Sequence, residues 1–448
     1  MELFKTAMAY LMLGAGAFLT ARLGFFQFTH LIPALRAPFL RGKKRGGGVT
    51  AFQAMATALG GSIGTANIAG VAGAILLAGP GAVFWMWIAG LLGMAAKLAE
   101  IVLAVKYRDS SARPPAGGPM HYIERGLGRS FRPLAKAYAL FGVLAGLLGT
   151  ALVQSNTIAQ AAFTSAADFG LESRAAAPLA GLLTAALTGA VIMGGARRIG
   201  SFSAKAVPFM AGVYALCAFA VIFANLSRLP EAFRAIIEGA FEPRGAFCGV
   251  SLAALRVGVA RGVYSNEAGV GSAAIAHAGS NETDPVKQGL LGIFEVFADT
   301  IVTCTLTALV ILTSSVPLSG SGMELAGSAF ASVFGAGGAG LLLSIAVLLF
   351  AFTSLIGWEL YYERCAEYLF GPRPMPCLRL LFLLCIPIGA VTEAGLAWTL
   401  GELMNYLMAL PNIIALALLS GEVKKLVREY GRFEGAGKAL RKKPKTRD

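Results

Sequence analysis

Charged side chains are scarce in this 448-residue chain: Asp, Glu, Lys and Arg together make 14%, against 56% hydrophobic residues and a mean hydropathy of +0.68. A soluble domain carries a larger polar share, so the chain reads as a membrane protein. Histidine is scarcer still. His30, His121 and His277 lie far apart with no H-E-x-x-H pattern, so neither a metal centre nor a His relay is assigned. The six cysteines (217, 248, 304, 365, 377 and 385) show no C-x-x-C spacing, which argues against a disulfide framework or zinc site. They read as small core residues. The chain also lacks a catalytic pair and a repeated filter segment, so neither a membrane-embedded enzyme nor a channel is the preferred reading.

What the chain does have is apolar length interrupted by glycine and proline. A span needs roughly 20 apolar residues, and eleven candidates cover 5–24, 51–77, 82–105, 135–163, 176–194, 205–224, 250–277, 287–314, 338–363, 377–394 and 396–419. They are numbered spans 1 to 11. The segments 322–334 and 231–240 are too short or too charged to cross and read as interfacial or loop helices. The 56 Gly and 19 Pro exclude a bundle of uniform helices, because each broken helix must re-satisfy its backbone inside the protein. Breaks therefore point to a lined cavity.

Basic residues set the expected orientation. The connection after span 1 holds Arg22, Arg36, Arg41, Lys43, Lys44 and Arg45; the one after span 3 holds Lys106, Arg108, Arg113, Arg125, Arg129, Arg132 and Lys136. Arg197, Arg198 and Lys205 follow span 5, and ten basic residues lie between Lys424 and Arg447. These face the cytoplasm by the positive-inside rule, with Arg174, Arg228, Arg234 and Arg244 outside. The N-terminus is expected outside and the C-terminus inside a cell (inner) membrane. The net charge of +14 then belongs to cytoplasmic loops and anionic headgroups rather than to nucleic acid. Residues 1–24 also have the form of a signal peptide, with Lys5 and the AFLTA run, but their removal would leave a basic stretch as the outside terminus.

Two spans carry polar interruptions. In span 2, Gly60, Gly61, Ser62, Ile63, Gly64, Thr65, Ala66 and Asn67 combine three glycines with hydroxyls and an amide. Taken alone this fits either an unwound helix or a close packing face. Span 7 tips the balance: Ser265, Asn266, Glu267, Ala268 and Gly269, with Gly271, interrupt an apolar run. A carboxylate there must be protonated, paired or facing internal water, and Arg261 is a candidate partner. Spans 2 and 7 lie five apart and run in opposite directions, the pattern of an inverted five-helix repeat with discontinuous first members. Spans 2–6 (about 51–224) and 7–11 (about 250–420) form the halves of a single transmembrane domain, 1–420, followed by a basic tail, 421–448. Half-helix N-termini attract carboxylates and unwound carbonyls attract cations, so a zwitterion beside a metal ion fits both.

Other spans add polar groups. Thr353 and Ser354 in span 9 are hard oxygen donors of the kind Na⁺ accepts, although bonds to their own helix carbonyls are the favoured reading when they are taken alone. Gln154 in span 4 either contacts a polar ligand or links two helices. Lys97 and Glu100 read as snorkelling or pairing near the end of span 3. Glu295 and Asp299 read as a polar seam, and Glu359 and Glu363 as reaching water.

The segments from GGSIGTANIAG through AVKYR (60–108), GGPMHYIERGLG (117–128), GVARGVYSNEAGVGSAAIAHA (258–278), FEVFADTIVTCTLTALVIL (294–312) and FAFTSLIGWELYYERCAEYLFG (350–371) resemble the alanine or glycine:cation symporter family. The resemblance implies an all-α membrane protein of the leucine-transporter fold with one extra N-terminal helix. It implies symport of a small neutral amino acid with Na⁺ by alternating access, with no organic cofactor. By resemblance, Gly64 and Thr65, with Ala66 and Asn67, offer amides to the substrate carboxylate. Carbonyls of Gly60 and Ile63, with Thr353 and Ser354, form a sodium site. Ser265 to Gly269, including Asn266 and Glu267, face the ammonium, and Gln154 and Trp358 line the pocket. Ala66 replaces the family's usual glycine, adding a methyl where the backbone meets the ligand. Proton coupling through Glu267, Glu295 or Asp299 is the alternative; a channel ranks below it.

Overall fold

The computed structural model describes residues 2–40, 48–112, 114–168, 175–241 and 251–441. Arg41, Lys43, Lys44, Arg45, Arg113, Arg174, Arg244, Cys248 and the tail beyond Arg441 lie outside the described residues. Every one of the eleven expected spans is helical. Among the described residues, seven helices are long and apolar enough to cross a membrane by length and composition, and an eighth, the pair Ala51–Ser62 and Thr65–Ala78, is bent by 60°. The apolar helices Ala176–Ile192 and Met375–Val391 and the broken segment Leu252–Ala278 complete the set.

Local chemistry explains the helix starts. Thr50 opens span 2 with a capping box: its hydroxyl accepts from Gln53 N at 3.1 Å and Gln53 returns an acceptor to Thr50 N at 2.9 Å. Asp284 caps span 8 through the amides of Val286 and Lys287. Ser321 and Glu324 form a second capping box at the head of the short helix expected at 322–334. That helix is set off from span 9 by Gly335, whose φ of 69° leaves the helical region.

Some features were not foreseen. The connection after span 1 folds into short turns at Phe26–Thr29, Leu31–Arg36 and Ala37–Phe39. Spans 4 and 8 each contain a π-helical stretch, Ala145–Ala151 and Phe297–Cys304. Span 11 does not stop near 419; its helix runs Ala394–Arg441 through most of the stretch read as a tail.

The two interrupted spans cross in antiparallel fashion. Ala51–Ser62 packs on Ser272–Ala278, while Ala69–Ala78 packs on Leu252–Asn266, so both breaks sit at one level. Span 9 closes over the first half of span 2. Gly357 makes that approach possible: a Cβ there would lie 3.1 Å from both Gly61 Cα and Thr57 O.

Candidate functional site

Span 2 is helical to Ser62, extends through Ile63 (ψ 99°) and Gly64 (ψ −160°), makes one 3₁₀ turn over Thr65–Asn67, and resumes at Ala69. Asn67 drives the interruption. Its Oδ1 accepts from Gly64 N at 2.9 Å, the amide that in a continuous helix would bond Gly60 O. Gly60 O is thereby released and accepts from Ser354 Oγ at 3.1 Å. The last carbonyls of the first half are left without helical amides, as at any helix C-terminus.

Thr353 and Ser354 divide their roles. Thr353 Oγ1 donates to Leu349 O and Phe350 O, both at 3.0 Å, as its own-helix reading anticipates. Ser354 reaches across instead. Both still border the break, since a Cβ on Gly60 would meet Thr353 Cβ at 3.3 Å and one on Gly64 would meet Ser354 Oγ at 3.0 Å. Gln154 joins from span 4: its Oε1 accepts from Thr65 Oγ1 at 3.5 Å, and its Nε2 lies 3.4 Å from the position of a Cβ on Gly64. Ala66 is not strained. It has no positive φ, and its methyl lies 3.5 Å from where a Cβ on Gly70 would stand.

The other break is braced to the first. Asn67 Nδ2 donates to Ser265 Oγ at 3.1 Å and to Asp299 Oδ1 at 2.7 Å, while Ser265 Oγ donates to Asp299 Oδ2 at 2.8 Å. Thr300 Oγ1 donates to the same Oδ2 at 2.8 Å and accepts from Asn266 Nδ2 at 3.1 Å. Asp299 and Thr300 stand on the π-helical stretch of span 8, where the extra residue per turn turns both toward the breaks. Glu267 terminates the first half of span 7 in the left-handed region, φ 54°. Its carboxylate accepts from Trp358 Nε1 at 2.9 Å and from Ser272 Oγ.

Several expectations are corrected here. Arg261 does not meet Glu267; it pairs with Glu402 at 3.1 Å, which also binds Lys5 at 2.6 Å. Helical spacing could not have revealed a partner 141 residues away. Lys97 and Glu100 do not snorkel: they are 1% and 0% exposed. Glu100 accepts from Gly269 N and Asn412 Nδ2, each at 2.8 Å, and Tyr122 donates to Asn412 Oδ1, so Gly269 is tied to span 3. Gly269 and Gly271 take φ 95° and 84°, open to glycine and costly for other residues. Glu359 does not reach water, being fully buried, whereas Glu363 pairs with Arg379 at 2.7 Å. His277, assigned no role, bonds Glu295, with Gln288 on its other ring nitrogen at 2.6 Å.

Two cavities on opposite sides of the breaks differ in size. A cavity of about 490 Å³ lies beyond the second half of span 2, bordered by Gly70, Thr157, Arg261, Gly322, Val347 and Trp398. At the other end, among Thr57, Pro114, Pro115, Ile275 and Arg364, the void is only about 10 Å³. Arg108 helps to seal that end. Its guanidinium donates to Ala278 O at 3.2 Å and to Ser280 O and Glu282 O at 2.8 Å, and Asn281 N donates to Val49 O at 2.8 Å.

Known proteins share this architecture. The chain superposes on MhsT in complex with L-phenylalanine with a TM-score of 0.59 and 13% identity, over 86% of this chain and 99% of that one, a likeness of fold. The leucine-transporter-like arrangement of two inverted five-helix repeats plus one N-terminal helix is therefore present. The sodium/alanine symporter AgcS of Methanococcus maripaludis is 40% identical over 93% of this chain and 92% of its own. An uncharacterized transporter of Haemophilus influenzae is 41% identical over 94% and 92%. The profile described as the sodium:alanine symporter family matches residues 1–444, and the chain belongs to that family of membrane transporters.

Proposed function

We propose that this protein carries a small neutral amino acid, alanine or glycine, into the cell together with Na⁺ by alternating access. The observation that carries the reading is the pair of interrupted helices joined at Asn67 and Ser265, with a hydroxyl from span 9 on the freed carbonyl of Gly60. AgcS, similar along nearly the whole chain, bears a name that states both sodium and alanine.

In this reading Na⁺ takes the carbonyls of Gly60 and Ile63 with the hydroxyls of Thr353 and Ser354. The donors suit the ion: all are hard, neutral oxygens, and Ser354 already touches Gly60 O. Ion binding replaces the Ser354–Gly60 hydrogen bond and ties span 9 to the first half of span 2. The substrate carboxylate meets the amides of Thr65 and Ala66, which open the 3₁₀ turn and have no partner within it. Gly64 contributes shape more than a donor, because its amide is held by Asn67. Gln154 borders the same turn and orients the ligand. Ser265, Asn266, Glu267 and Gly269 act from behind, fixing the second break, with Trp358 bracing Glu267.

The positive-inside pattern puts the large cavity outside and the Arg108 seal inside, in a multi-pass inner-membrane protein with its C-terminus in the cytoplasm. The conformation is then open to the outside, and transport requires the cavity to close and the seal to part. Each Na⁺ entering down a 100 mV potential gains about 2.3 kcal/mol.

Proteoliposomes preloaded without Na⁺ and given labelled alanine or glycine test the reading. An imposed Na⁺ gradient drives accumulation; accumulation with a proton gradient alone selects the proton-coupled alternative through Glu267, Glu295 or Asp299. Failure to exchange labelled for unlabelled alanine would remove the carrier reading altogether.

A further inference from the structure

Lys97 is the anomaly of the core. Its side chain is 1% exposed at mid-span, and its Nζ has no hydrogen-bond partner among the described residues. Other basic side chains on the two halves of span 7 have acidic partners: Arg261 with Glu402 and His277 with Glu295. Lys97 stands one turn past Gly93, where a Cβ would meet Asn266 Oδ1 at 3.5 Å, and its Cγ lies 2.9 Å from a Cβ position on Gly292. Glu295 and Asp299 follow Gly292 at i+3 and i+7 on the same side of span 8. Lys97 thus packs on the seam where span 3 meets spans 7 and 8. Glu100 stands on the same helix, and span 3 packs against both the first half of span 7, which ends at Glu267, and the stretch of span 8 that carries Asp299.

None of these three carboxylates has a cation in contact among the described residues. Glu100 is held by a backbone amide and Asn412, Glu267 by Trp358 and Ser272, and Asp299 by Asn67, Ser265 and Thr300. A carboxylate bordered by hydroxyl oxygens at membrane depth is a ready host for a small hard cation unless a fixed positive charge stands nearby. Asp299 with the hydroxyls of Ser265 and Thr300 is such a host.

We propose that Lys97 is a tethered cation that keeps a second Na⁺ out of the Asp299 cluster and so fixes the coupling at one Na⁺ per amino acid. The inference rests on the Na⁺-coupled reading above. It acts through charge: the ammonium supplies the positive field that the cluster would otherwise draw from solution, and like charge disfavours a metal ion beside it.

The test counts ions. Dual-label uptake of ²²Na⁺ and ¹⁴C-alanine into proteoliposomes is expected to give a ratio of one for the wild type and for Lys97→Arg. Lys97→Met is expected to give a ratio near two, with a Na⁺ dependence of Hill coefficient rising from about one toward two. Lys97→Met with Asp299→Asn removes both charges and returns the ratio to one. Where Lys97→Met is not transport-competent, ²²Na⁺ binding to the purified full-length protein gives the same count, two per chain against one. A wild type that already carries two Na⁺, an unchanged count in Lys97→Met, or a proton taken up in place of the second Na⁺ overturns the proposal. A wild type with no Na⁺-driven uptake instead defeats the transport reading on which it rests.

Discussion

Asn67 and Ser265 are separated by 198 residues in sequence and by 3.1 Å between Nδ2 and Oγ. Each belongs to the interrupted stretch of its own span, and both bond the same carboxylate, Asp299. A single amide therefore creates the first break, by capturing Gly64 N, and fastens it to the second.

Asn67→Ala should remove both functions. Buried hydroxyl and carboxylate groups left without a donor cost about 1–3 kcal/mol each. The expected outcome is a loss of at least tenfold in alanine uptake and a lowered melting temperature, measured on protein of unchanged elution volume. Uptake at the wild-type rate would show that the junction is dispensable.

Ser354 and Thr353 should differ. Ser354 bridges to Gly60 O, whereas Thr353 is occupied by carbonyls of its own helix. Ser354→Ala is expected to raise the half-saturating Na⁺ concentration about tenfold, a change near 1.4 kcal/mol, and Thr353→Ala to raise it less. Sodium titrations of uptake at fixed alanine decide the order.

Trp358→Phe tests the brace on Glu267. The phenyl ring keeps most of the packing and deletes the indole N–H that lies 2.9 Å from the carboxylate. A stability loss of about 1–3 kcal/mol is expected from the unpaired buried oxygen. Thermal unfolding in detergent measures it, and an unshifted transition would mean the bond contributes nothing.

Arg108 makes a similar argument at the sealed end. Its guanidinium holds three carbonyls at and just past the end of the second half of span 7. Arg108→Ala should shift the population toward the state open at that end. Combined with Ala278→Cys, it should make the new thiol react with a membrane-impermeant reagent several-fold faster than Ala278→Cys alone. Equal labelling rates would mean that the guanidinium does not hold the seal.

His121 sets an acid limit on stability from outside the spans, in the connecting helix Pro119–Leu127. Burial, and then the nearby Arg125 charge, lower its pKa from 6.5 to about 4. The folded state therefore holds this imidazole neutral. Its contribution to stability is complete above pH 6.5 and is lost as the pH falls toward 4, by up to about 3 kcal/mol. His121→Gln should flatten that part of the pH–stability curve; an identical curve would assign the acid sensitivity elsewhere.

Both breaks were legible because glycine clusters and polar residues at mid-span have no cheaper explanation once two of them recur at opposite orientation. The helix count was legible for the same reason, since apolar length is read directly. The burial of Lys97 and Glu100 was not legible, because position along a span says nothing of what covers it, and span 3 is wrapped by spans 1, 7 and 8. Arg261 found Glu402 rather than Glu267 through tertiary contact alone. The π-helical stretches were not legible, because a displaced hydrogen-bond register leaves the apolar run of the span unbroken.

Glu402 is shared between Lys5 and Arg261, which joins the supernumerary first helix to one interrupted span and to the last. An appendage outside the ten-helix core thus has a grip on one of the two interrupted spans. Trimming that helix from the chain would free the guanidinium's anchor on one flank, so the shortened carrier should differ from the intact one in how readily it switches, not merely in how well it folds.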